Sequence, residues 1–208
     1  MKKLFISAIL IISSYTIQAQ VRFGFKTAPQ LSYNRIQSAN ENFEFEQNGS
    51  SIKLFLGPTF DFPFRKNHYF STGIFFSGKR VAFEATNTNN GANSNEVYGI
   101  QYLQIPLTLK LFTEEVGLDK KIYFQFGTTT DFRLQGILSP QNILQQVSFF
   151  DFSALLAAGL EYRLGIKTRL FAGVYYNRGF ISVINEATVE EDWRLFNDTI
   201  GLELGVTF

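Results

Sequence analysis

Tyr102-Leu103-Gln104-Ile105-Pro106-Leu107-Thr108-Leu109-Lys110-Leu111 alternates without a break. Its odd positions are all aliphatic, and Gln104, Pro106, Thr108 and Lys110 are polar or small. A period of two is the repeat of a β-strand, whose successive side chains point to opposite faces. One face is continuously apolar, and the other carries an amide, a hydroxyl and an ammonium. Such a strand suits either a half-buried sheet of a sandwich or a membrane barrel with lipid outside and a polar interior. The flanking segments decide between the two.

Seven further stretches alternate in the same way: residues 21–27, 52–62, 69–80, 122–134, 152–164, 169–178 and 199–208. With the opening stretch, which residues 98–101 lead into, they predict an all-β, eight-stranded antiparallel up-and-down transmembrane β-barrel. The connections support this. Residues 28–51, 81–97, 135–151 and 179–198 read as long polar loops, whereas 63–68, 112–121 and 165–168 are short. Long loops on one side and tight turns on the other are expected of an outer-membrane barrel with both termini in the periplasm. That orientation gathers the apolar-face aromatics Phe62, Phe70, Phe124, Tyr162 and Phe208 at the periplasmic rim. Phe76, Phe132, Phe152 and Tyr176 then form the outer girdle. Phe208 ends the last strand on its lipid face, the feature expected to engage the barrel assembly machinery.

The N-terminus fits export. Met1-Lys2-Lys3 precedes an apolar run over residues 4–12, and Ala19 stands at a plausible cleavage point before Gln20. Residues 1–19 therefore read as a secretory signal peptide and 20–208 as the barrel domain in the outer membrane of a Gram-negative cell. No cysteine follows the apolar run, so a lipid anchor on the mature N-terminus and a disulfide framework are both excluded. A net charge of +1 without a basic run gives no footprint for nucleic acid.

The inward parity is expected to carry the chemistry of the interior. It holds Arg22, Lys26, Lys53, Asp61, Lys79, Lys110, Asp131, Arg133, Glu161, Arg163, Arg169 and Glu203. Eight strands leave room only for side chains, and buried charges need partners. The expected result is an interlocked ion-pair network. Near the periplasmic end Asp61, Glu161 and Glu203 stand among Arg22, Lys110, Arg163 and Arg169. Higher up, Asp131 stands with Arg133, Lys53 and Lys79. The alternative is a narrow, cation-lined pore for small anions. The inward glycines 24, 57, 73, 127, 159, 173, 201 and 205 relieve crowding or permit bending.

An enzyme is not expected. His68 is the only histidine, falls in a short turn and has no nucleophile or acid placed beside it. One histidine and no cysteine make no usual zinc site. The acidic loop residues Glu41, Glu44, Glu46, Glu186, Glu190, Glu191 and Asp192 lack the spacing of a calcium loop, so no metal or other cofactor is expected. Recognition falls to the four outer loops. Residues 87–95 are low in complexity and read as mobile. The last loop is partly apolar, through Ile181, Val183, Ile184, Val189, Trp193, Leu195 and Phe196. It either folds over the barrel mouth or offers Trp193 and Phe196 to a partner or to lipopolysaccharide. Trp193 reads equally well as an interfacial girdle residue.

Residues 102–110 resemble the "YLEIPLLLK" strand of the PorT-like outer-membrane β-barrel family of Bacteroidetes. Phe23-Gly24-Phe25-Lys26, residues 69–79 and 152–162, Tyr175-Tyr176-Asn177-Arg178-Gly179 and Leu204-Gly205-Val206-Thr207-Phe208 extend the similarity over the mature chain. Gln104 stands where the family usually has Glu, which removes one inward charge. The resemblance implies an outer-membrane barrel and, through the family's namesake, an association with type IX secretion-system proteins. Three roles follow as expectations: a structural or partner-binding barrel, an accessory of type IX protein secretion, and a narrow small-solute pore.

Overall fold

The computed structural model describes residues 21–38, 43–137, 144–187 and 193–208. The expected signal peptide and Glu41, Glu190, Glu191 and Asp192 lie outside these residues. Twelve strands are formed among the described residues: β1 (Arg22–Ser38), β2 (Phe43–Gln47), β3 (Ser51–Arg65), β4 (His68–Gly73), β5 (Phe75–Asn87), β6 (Asn93–Phe112), β7 (Lys120–Ile137), β8 (Leu144–Val147), β9 (Phe150–Arg163), β10 (Arg169–Gly179), β11 (Ile184–Ala187) and β12 (Trp193–Thr207).

They close an antiparallel ring of eight hydrogen-bonded strands. β1 pairs with both β12 and β3, which removes every free edge at the seam. β4 and β5 form one wall strand, broken at Ile74, where the backbone N–H reaches Pro58 O at 3.2 Å. β2 pairs with the far end of β5, and β8 and β11 form a separate ladder at the long-loop end. The short turns lie at the other end, together with Val21 and Phe208.

The alternation places its apolar parity outside, as lipid requires. Phe23, Leu54, Phe70, Leu107, Phe124, Leu156, Val174 and Leu202 all stand exposed on the wall. The strands also run well past the expected segments. The stretches 28–38, 81–87, 93–97 and 193–198, assigned above to loops, are strand. Residues 87–92 are the tight turn of the β5–β6 hairpin, where Asn87 and Ala92 share a backbone hydrogen bond and Gly91 takes φ +68°. The physical reason is an inversion of polarity. Near the long-loop end Val81, Phe83, Ala85, Tyr98, Ile100 and Leu195 point inward and are buried. Arg178 and Arg194 point outward and are exposed. There the barrel wall faces water, so the alternation persists with its apolar phase reversed.

β5 also leaves β3 early, pairing with it only at Phe55↔Ser77 and Leu56↔Phe76. Side chains of β1 take over its backbone groups. Gln30 Nε2 donates to Gly78 O at 2.7 Å, Ser32 Oγ accepts from Arg80 N at 3.0 Å, and Asn34 Oδ1 accepts from Ala82 N at 2.8 Å. Buried peptide groups are thereby satisfied without a ladder.

Candidate functional site

The interior is filled in layers, each set by inward positions of several strands. At the short-turn mouth Glu161 lies between Arg22 (3.6 Å) and Arg169 (3.5 Å), and the Arg22 guanidinium covers the Tyr69 ring at 4.2 Å. Deeper, Asp61 accepts from Ser71 Oγ at 2.5 Å and faces Lys110 at 3.4 Å. Lys110 also sits 4.6 Å from the Phe171 ring and 4.9 Å from that of Tyr123. Glu203 is held from two sides, by Lys26 at 2.9 Å and by the Tyr123 hydroxyl.

An aromatic layer follows. Phe55 stacks on Phe75 at 4.6 Å and tilts against Tyr175, whose hydroxyl donates to Gln30. Beyond it Lys79 bridges two carboxylates, Asp131 at 2.5 Å and Asp151 at 2.9 Å, beneath the Tyr102 ring. Asp131 and Asp151 are direct cross-strand partners. Like charges so placed repel, and Lys79 offsets that repulsion. At the long-loop end an apolar plug of Val81, Phe83, Tyr98, Ile100, Val183, Trp193 and Leu195 closes the stack.

Small residues make this filling possible. Tyr175 lies directly across from Gly201, and Phe171 from Gly205, on β10 and β12. A Cβ on Gly201 would stand 2.5 Å from the Tyr175 ring. The rings therefore lie flat over bare backbone, the one place a narrow barrel has for them.

Of the residues expected in the network, Arg22, Asp61, Lys79, Lys110, Asp131, Glu161, Arg169 and Glu203 lie in these layers. Arg163 instead pairs with Glu115 and Asp119 of the β6–β7 turn, outside the lumen. Lys53 is half-buried with no ion pair among the described residues. Arg133 is half-buried opposite Tyr102. Asp151 was not foreseen, because it falls in a stretch read as loop; the polar–apolar alternation of 150–154 was the available signal. Tyr123 and Tyr175 sit on the inward parity that carries the charges, which was signal enough to find them.

Trp193 is 6% exposed, stacked on Phe45 at 4.4 Å and edge-on to Phe83. It belongs to the plug, neither at the lipid boundary nor on an outer surface. Phe196, on the opposite face of β12, is 7% exposed under the Arg35 guanidinium at 4.7 Å. His68, expected in the turn, is the half-buried first residue of β4, with Nδ1 2.6 Å from Lys66 O. Nearby, Lys66 holds the exposed Glu114 carboxyl below the usual carboxylate range. Among the described residues no three His, Cys, Asp or Glu side chains gather as a metal site.

The charged layers of the lumen are shut off from solvent. Lys79 and Glu203 are each 1% exposed, and Asp61 and Asp131 are sealed completely. A water-filled channel would leave the side chains along its wall accessible.

A family model described as outer membrane protein beta-barrel domain matches residues 15–185. No curated protein matches the sequence. Among solved structures, the outer membrane protein OprG from Pseudomonas aeruginosa is similar at TM-score 0.55 and 13% identity, over 90% of this chain and 94% of that one. Neisserial surface protein A is similar at TM-score 0.45 and 11% identity, over 89% and 95% of the two chains. At such identities the OprG likeness concerns the fold alone.

Proposed function

Because the chain belongs to the outer membrane protein beta-barrel domain family, we propose that it is a non-enzymatic, partner-binding barrel with a plugged interior. The observation that carries this reading is the sealing of its charged layers, from Glu161 to Lys79, under an apolar cap. A barrel that neither conducts nor catalyses acts through its surfaces, and here strands extend the long-loop end into a folded, water-facing rim. Arg178, Arg194, Glu44 and Glu46 stand exposed on that rim and are the side chains offered to a partner. In this reading the termini and short turns face the periplasm, and the rim faces outward beside lipopolysaccharide. The last strand, β12, is what the assembly machinery engages, and residues 1–19 are removed on export.

Liposome swelling with small sugars and amino acids tests the plug. Reconstituted protein is expected to give the rate of empty liposomes, and solute-dependent swelling would replace this reading with the small-solute pore. The resemblance of residues 102–110 to the PorT-like strand supports a second reading, an accessory role in type IX protein secretion. A deletion strain separates the two. Unchanged secreted protein is expected of a surface-binding barrel, and periplasmic retention of secretion cargo is expected of an accessory.

A further inference from the structure

At the short-turn end a cleft of about 440 Å³ opens between the barrel mouth and its outer wall. Arg22, Tyr69, Ile166, Lys167, Arg169 and Phe208 line it. Its charge is unbalanced. Arg22 and Arg169 share the single carboxylate of Glu161, at 3.6 and 3.5 Å, well beyond the 2.7–2.9 Å of a strong charge-assisted hydrogen bond. Lys167 is exposed and has no ion pair among the described residues. A smaller recess beside the cleft adds Lys121 and Arg163, while Asp119 is the one further carboxylate lining it. Guanidinium groups with unused donors in a concave mouth concentrate positive potential and fit a phosphate through paired N–H groups.

The other half of the cleft is apolar and faces lipid. Ile166 is 94% exposed and Phe208 53% exposed, both at the level where the apolar wall ends. A ligand matching both halves carries an anion joined to a hydrocarbon chain. We propose that this cleft binds the phosphate of an anionic phospholipid in the leaflet at the short-turn end. Arg22, Arg169 and Lys167 hold the phosphate, and Ile166 and Phe208 pack on the first carbons of the acyl chains. Tyr69 fixes the Arg22 guanidinium from below. The assignment rests on the orientation proposed above, in which the short-turn end lies in the periplasmic leaflet.

Native mass spectrometry of the folded protein, released from micelles holding equal phosphatidylglycerol and phosphatidylethanolamine, tests this. The wild-type protein is expected to retain phosphatidylglycerol preferentially, because the ethanolamine ammonium opposes the cationic cleft. The Arg22→Gln/Arg169→Gln double variant is expected to lose about tenfold of that preference, the equivalent of one charge-assisted hydrogen bond. That variant also leaves Glu161 without its pairs, so Lys167→Gln provides a second reading. Among the described residues the Lys167 side chain makes no ion pair, and its main-chain oxygen meets Arg169. Its loss is expected to lower the preference about threefold with folding intact. Equal retention of both lipids by the wild type, or an unchanged preference in Lys167→Gln and in a folded double variant, would overturn the proposal. Binding of inorganic phosphate with no lipid preference would overturn it too.

Discussion

Lys79 holds two carboxylates that face each other across β7 and β9, and it does so fully buried. Taking three charges out of water costs several kcal/mol per ion, offset only while all three are present. Lys79→Met is therefore expected to destabilise the barrel by about 3–5 kcal/mol, read as a lower urea midpoint in detergent. Adding Asp131→Asn and Asp151→Asn to that variant is expected to recover most of the loss. Trp193 gives a second test at this scale. Its ring fills the plug between Phe45 and Phe83, so Trp193→Ala is expected to cost about 3–5 kcal/mol through the cavity left behind. A loop-surface tryptophan would leave the urea midpoint unchanged. The sequence marks both residues as notable, but it does not tell an inward tryptophan from an outward one where the polarity of the wall reverses.

At the scale of elements, β10 and β12 are matched through aromatic–glycine pairs, Phe171 with Gly205 and Tyr175 with Gly201. Gly201→Val places methyl groups where the Tyr175 ring lies and breaks its hydrogen bond to Gln30. The expected cost is about 1–3 kcal/mol, with the strand still formed, because overpacking displaces the ring without removing the ladder. Urea titration followed by the shift between folded and unfolded gel bands measures it. The strands themselves were legible in their lipid-facing halves, where apolar and polar positions alternate in one phase. Their water-facing halves were read as loops. Val81, Phe83 and Ala85 alternate as regularly as Leu103, Ile105 and Leu107, but with the apolar side turned inward. A reading that demands apolar outside everywhere stops at the membrane boundary.

At the scale of the whole molecule, closure of β1 onto β12 leaves no edge at the seam, and side chains fill the axis. The protein is expected to stay in membranes through a carbonate wash and to migrate faster in detergent gels unheated than boiled. Release by carbonate, or one mobility under both treatments, would contradict the barrel. What the sequence determined by itself was the number of wall strands, the face that meets lipid and the end that bears the short turns. Each of these follows from a period of two and from the spacing between runs, which are local properties of the chain. The tertiary structure alone decided which charges meet. Lys26 finds Glu203 across 177 positions, and Lys79 chooses Asp151 across 72 while Arg163 turns away to Asp119. Those pairings depend on how far each strand is staggered against the next and on how deep each side chain reaches across the lumen. Parity assigns a side chain to the interior, but only the closed barrel sets its height there.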